Sequence, residues 1–240
     1  MDRLMKCIRF QIKHMLKSMT AFTCIYAAAY LAITVLILST RSGNSSGSVN
    51  AGFYLGAAIF IIIYVMANYK ETFNYLLMFG STRNSILLSM ATTIISMSAL
   101  FAALSTLAIK LEGVLSSALN MVKSDGGNIL LYMYPGSGTA SMFLWLTMFY
   151  SLIGSFSLLY GALAYKLGKV FVTVFWVAFG ASWVVLPVTS RFFTITSMLK
   201  AYFHIGEPGG ILLAPVSFLI TFLLFGGAAY LTARRQPQTA

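Results

Sequence analysis

The chain has 240 residues, of which 59% are hydrophobic and only 9% charged, with a formal net charge of +11; a soluble domain carries roughly 25% charged residues. So little charge excludes a globule covered by water on all sides, and apolar blocks of about 20 residues match the hydrocarbon thickness of a bilayer. The positive balance is read as basic loops against an anionic inner leaflet, so a lipid bilayer is expected as surroundings and nucleic acid is not expected as a partner.

In chain order, the first 18 residues predict an amphipathic helix. At about 100° per residue, Arg3, Lys6, Arg9, Lys13 and Lys17 share one face, and Leu4, Met5, Ile8, Ile12, Met15 and Leu16 the other. Such a helix is expected to lie in the inner-leaflet interface. No small-residue cleavage site follows the first apolar block directly, so that block is expected as a retained span. Spans are predicted at 21–39, 51–68, 86–109, 141–164, 170–188 and 211–231, none of which holds Asp, Glu, Lys, Arg or His. The expected fold class is an all-α membrane protein of six transmembrane helices in one domain, 1–240, preceded by the interfacial helix.

The connections differ in character. Residues 41–50 form a Gly/Ser/Asn loop whose Asn44-Ser45-Ser46 triplet is discounted as a chance sequon, and 112–140 is broken by Gly126-Gly127 and Pro135-Gly136. The stretch 191–210 carries Phe192, Phe193, Ile195, Met198, Leu199, Tyr202, Phe203 and Ile205 between its charges. It is too apolar for a solvated loop and too short to cross twice, so it is expected as an external re-entrant or interfacial element.

Charge orients the chain. Arg3, Lys6, Arg9, Lys13, Lys17, Lys70, Arg83, Lys166, Lys169, Arg234 and Arg235 fall on one side of the predicted spans, leaving Arg41, Lys110, Lys123, Arg191 and Lys200 on the other. The positive-inside rule then puts both termini in the cytoplasm, and six spans satisfy it.

Several chemistries lose support. Gly168-Lys169 is followed by Val170 and has Leu163 where the first glycine of a Walker P-loop would stand. His14 and His204 fall on opposite sides of the predicted membrane, so no shared metal is expected. Cys7 and Cys24 make neither a disulfide framework nor a metal spacing. Asp2, Glu71, Glu112, Asp125 and Glu207 all lie outside the spans, which disfavours a proton relay and acid–base catalysis.

Residues 69–85 read as a short cytoplasmic helix ended by Gly80. Glu71 followed by Phe79-Gly80-Ser81-Thr82-Arg83 resembles the corresponding segment in the permease subunits of ABC-2 type exporters, which carry a glutamate after span two and then Gly-x-Ser/Thr-Arg before span three. Asn84 and Ser85 depart from the family, whose members often have a second basic residue and an aromatic there. The resemblance implies a subunit that pairs with a second copy, most simply as a homodimer. Its coupling helix (Tyr69, Lys70, Glu71, Thr72, Phe73, Leu76, Phe79, Gly80, Arg83) would dock on a separate cytoplasmic ATPase. No cofactor is expected in this chain, ATP and Mg belonging to that partner, and the chain itself is not expected to be an enzyme. The layout looks like that of phenol-soluble modulin and lantibiotic exporters, which implies an amphipathic peptide or toxin carried out across a bacterial cytoplasmic membrane.

Phe53, Phe60 and Tyr64 share a face of span two, and Phe175, Trp176 and Phe179 cluster on span five. In the resembled family those spans line the path, so these aromatics are candidates for it; lipid-facing or packing roles are the alternative. Gly154, Gly161 and Gly168 recur every seven residues and predict close helix packing. A stand-alone channel or pore without an ATPase is the competing class, and a lipid-acting enzyme a third.

Overall fold

A computed structural model describes residues 2–40, 53–118, 134, 138–188, 191–206 and 209–234. Among these the regular structure is all α-helix, as hydrocarbon demands of a chain that must satisfy its backbone polar groups within each segment. The helices are α1 (Asp2–Thr40), α2 (Phe53–Met78), α3 (Arg83–Ala118), α4 (Thr139–Val188), α5 (Arg191–Tyr202) and α6 (Gly210–Arg234). Four stretches are long and apolar enough to cross a membrane: α2, α3 over Arg83–Leu111, α4 over Thr139–Phe179, and α6. The chain is a multi-pass helical membrane protein. The loop 41–52 with Asn44, the stretch 119–133 with Gly126 and Gly127, Pro135 and Gly136, Glu207, and the side chains of Phe192, Phe193 and Ile195 lie outside the described residues.

α4 is two helices joined at Gly168. Gly168 stands at φ 74°, ψ −160°, a backbone region essentially confined to glycine. Beyond it the chain doubles back. The rings of Tyr160 and Phe175 are 4.7 Å apart, although 15 residues of straight helix would separate them by about 22 Å. Phe156 meets Phe175, and Tyr160 meets Phe171, in the same antiparallel sense. The arms 139–167 and 169–188 contain the stretches 141–164 and 170–188 expected as separate spans. Gly168 is therefore a hinge, whereas its expected partners are packing glycines. A Cβ on Gly154 would overlap Ile94 Cγ2 of α3, and one on Gly161 would stand 2.8 Å from Tyr69 Cβ of α2.

α1 departs from expectation. No break separates 1–18 from 21–39, and 39 residues make one helix of about 58 Å. It runs antiparallel along α2: Phe10 stacks on Tyr75, His14 meets Tyr64, Phe22 meets Phe60, and Tyr26 meets Phe53. The expected separate interfacial helix is thus the first half of a helix docked on the bundle. The reason is a buried stripe, Cys7, Gln11, Met15 and Met19, which lies at the edge of the apolar face. Lys6, Arg9, Lys13 and Lys17 of the basic face stay exposed, and so do Met5 and Leu16.

Two ends of the bundle are defined. At one end Cys7 Sγ lies 3.2 Å from Ser81 Oγ, Arg83 Nη1 donates to the Arg234 carbonyl at 3.0 Å, and Tyr165 Oη donates to Asn74 Oδ1 at 2.8 Å. These contacts gather the start of α1, the α2–α3 turn, the α4 hinge and the end of α6, with the basic residues around them. At the other end Tyr134 Oη donates to the Phe203 carbonyl, and the rings of Trp145, Phe203 and Phe218 cluster beside it. Burial pushes the Tyr134 hydroxyl above the ordinary tyrosine range. α5 ends in a turn whose residues fold onto α6. Tyr202 Oη donates to Thr221 Oγ1 at 2.8 Å, and His204 Nε2 lies 3.2 Å from Ser217 Oγ. Ser217 and Thr221 are two and three turns into α6.

Candidate functional site

The α2–α3 turn is built by its own local chemistry. Gly80 takes φ 72°, Gly80 N–H donates to the Leu77 carbonyl at 2.9 Å, and Ser81 N–H to the Leu76 carbonyl at 3.1 Å. That pair of bonds is a Schellman stop with glycine in the left-handed position. Two residues on, Thr82 caps α3: its Oγ1 accepts from Ser85 N–H at 3.3 Å and its carbonyl from Ile86 N–H at 3.0 Å. Arg83 then ties the turn to α6 through the Arg234 carbonyl. Gly80, Thr82 and Arg83 each have a place inside this chain, as helix stop, helix cap and tie. The motif that carries the family resemblance thus has an architectural role of its own.

The coupling residues divide into two faces. Tyr69, Phe73 and Leu76 are buried, Phe73 to 1% exposure. Tyr69 and Phe73 stack at 5.7 Å, and Tyr165 of α4 packs on both. Their spacing of four and three residues is one helical stripe, and α2 carries it past the predicted span end without interruption. These three are core, which corrects their expected place in a docking surface. Lys70, Glu71 and Gly80 face outward, Thr72 and Arg83 are half-buried, and Phe79 is 69% exposed. Met78, at 85% exposure, and Tyr75 belong to the outward face as well and were not expected. The helical phase complementary to the buried stripe identifies both.

Beside this face runs a polar cleft between α1 and α2. It has a volume of about 200 Å³ and is lined by residues including Gln11, His14, Tyr64, Asn68, Glu71 and Thr72. It adjoins a cavity of about 50 Å³ that Gln11, Tyr64, Asn68 and Thr72 share with Thr93 of α3. Gln11 is the pivot. Its Nε2 donates to Ser89 Oγ at 3.0 Å, and its Oε1 accepts from Thr93 Oγ1 at 3.0 Å. His14 Nδ1 lies 3.2 Å from the Tyr64 hydroxyl. A ring series Phe10–Tyr75–Phe79, with centroids 5.0 and 4.6 Å apart, links α1 to the tip of the turn. Displacement of the turn would therefore be felt by α1 through stacked rings and the Cys7–Ser81 contact.

The two expected path clusters are not brought together by any ring contact among the described residues. Phe53 and Phe60 pack with Phe22 and Phe101, and Tyr64 stacks on Phe60. The rings of α1 and α3 occupy the α2 aromatics, so these serve packing. On the second arm of α4, Phe175 is held by Tyr160, while Trp176 and Phe179 are each 48% exposed. Among the described residues no three His, Cys, Asp or Glu side chains gather to hold a metal. No family model matches the chain, and no curated protein or solved structure matches it either.

Proposed function

We propose that this chain is the membrane-spanning permease subunit of an ATP-driven exporter of the ABC-2 type. In this reading a separate cytoplasmic ATPase seats the α2–α3 turn, and a second copy completes the path. The observation that carries the reading is the outward pair Met78 and Phe79, apolar side chains on a helix tip flanked by Lys70, Glu71 and Arg83. Large apolar groups ringed by charge suit a protein partner. The helix beneath them is rigid, because Tyr69, Phe73 and Leu76 anchor its other face, so force applied at the tip is transmitted to the bundle.

The six-span topology of this reading counts α1, α2, α3, both arms of α4, and α6. An even number leaves both termini on one side, which agrees with the gathering of basic residues at one end of the bundle. By the positive-inside rule that side is the cytoplasm, and the membrane is the bacterial cytoplasmic membrane. The apolar second arm of α4, with Val170, Val174, Val177 and Trp176 exposed, is the face that a second copy would cover. The cargo of this reading is an amphipathic molecule, a peptide or toxin.

Co-expression with a P-loop ATPase encoded beside the gene tests the proposal. Phe79→Asp with Met78→Asp abolishes co-purification of the ATPase while membrane yield stays unchanged. Phe73→Ala instead costs about 3–5 kcal/mol of stability, as loss of a buried phenyl ring does. Nucleotide-independent solute flux through vesicles holding the chain alone would replace the proposal with a stand-alone pore.

A further inference from the structure

The polar cleft between α1 and α2 holds a carboxylate that nothing among the described residues neutralises. On α2, Tyr64, Asn68, Glu71, Thr72 and Tyr75 line it, and their spacing places them on one helical face. Glu71 is exposed and makes no ion pair or hydrogen bond among the described residues. The chain carries a net charge of +11, yet no lysine or arginine is among the described residues that line the cleft.

The donors of this cleft are spent inside the protein, and acceptors remain. Gln11 gives its amide to Ser89 and Thr93, and His14 Nδ1 lies 3.2 Å from the Tyr64 hydroxyl. Asn68 Nδ2 donates to the Tyr64 carbonyl at 2.8 Å, which leaves its amide oxygen as the end available to a ligand. Glu71 and the hydroxyl of Thr72 add further acceptors. The walls are rings: Tyr64, and the stacked pair Phe10 and Tyr75 at 5.0 Å. A carboxylate among rings and acceptors suits an ammonium group, which donates to the oxygens and is attracted by the ring faces. An anion would instead meet Glu71.

The adjoining cavity of about 50 Å³ is apolar on its inner side, where Val65, Met90, Ile94, Met97 and Leu158 line it. A water-sized group needs about 10–15 Å³ of such space, so the cavity takes a tail of about three or four carbons. We propose that the cleft binds a small alkylammonium ion. Its nitrogen donates to Glu71, Asn68 and Thr72, and its short hydrocarbon tail lies in the cavity against Met90 and Met97. The binding belongs to this chain alone, so its failure and the failure of ATPase capture are separate results.

The test is saturation-transfer NMR on the full chain in deuterated detergent, with butylammonium, butan-1-ol and butyrate as probes of equal tail length. Wild type binds butylammonium roughly tenfold more tightly than butan-1-ol, and butyrate most weakly. Glu71→Gln, at an exposed position, brings butylammonium to the level of the alcohol. Val65→Phe fills the cavity and removes binding of both, with its fold checked by thermal unfolding. No binding of butylammonium, equal binding of the three probes, or a preference for butyrate overturns the proposal. A preference that survives Glu71→Gln overturns the role of the carboxylate. Unchanged binding in a folded Val65→Phe variant overturns the placement of the tail.

Discussion

Thr93 Oγ1 donates to Gln11 Oε1 at 3.0 Å across 82 positions of sequence, inside a buried contact between α1 and α3. The amide of Gln11 is satisfied on both sides, by Thr93 and by Ser89, which is what makes a glutamine tolerable at 5% exposure. With the buried Cys7, Met15 and Met19, this side chain seats the basic half of α1 on the bundle.

Replacing Gln11 separates its packing from its hydrogen bonds. Gln11→Met keeps the reach of the side chain and loses the bonds, costing about 1 kcal/mol, while Gln11→Ala also opens a void and costs about 2–3 kcal/mol. Thermal unfolding in detergent measures both. Thiol labelling of the native Cys7, buried in wild type, rises in the alanine variant if α1 undocks.

Gly154→Ala drives a methyl into Ile94 Cγ2 and destabilises by about 1–3 kcal/mol. Ile94→Leu removes that methyl and conserves volume, so the double variant recovers most of the loss, a coupling of about 0.5–3 kcal/mol. Gly226→Ala, in open space, raises stability by up to about 1 kcal/mol. Equal losses at Gly154 and Gly226 would contradict the distinction between filled and open glycines.

Gly168→Ala isolates backbone strain, because a Cβ there meets no neighbour. The variant costs about 1–3 kcal/mol. Asparagine gives no relief, since ψ −160° lies outside the left-handed helical well that asparagine tolerates. Spin labels at Leu159 and Thr173 report a broadened distance between the two arms.

Two buried serines of α3 behave oppositely. Ser98 Oγ is buried without a hydrogen-bond partner, so Ser98→Ala raises stability by about 1 kcal/mol. Ser105 Oγ pairs with the Tyr150 hydroxyl at 2.8 Å. Ser105→Ala costs only about 0.5–1.5 kcal/mol, because Tyr150 keeps its bond to the Tyr54 carbonyl. Denaturant midpoints of the two variants on either side of wild type are the expected outcome.

Hydropathy and charge alone determined that this chain is helical, that it crosses a membrane repeatedly, and that its basic residues collect at one end. These follow from the hydrocarbon thickness and from backbone groups that water cannot satisfy, and both are local demands written along the chain. Gly80 as a helix stop was legible for the same reason, since a left-handed residue is a property of one position. Which face of a helix meets a neighbour was not legible, because in an apolar chain the stripe Tyr69, Phe73 and Leu76 looks the same whether it meets a partner protein or Tyr165. Only the tertiary structure made Gly168 a hinge, gave Gly161 its partner Tyr69, docked the first half of α1 on the bundle, and added Met78 to the outward face beside Phe79. Packing is decided by which surfaces are close in space, and hydropathy along one chain carries no record of that.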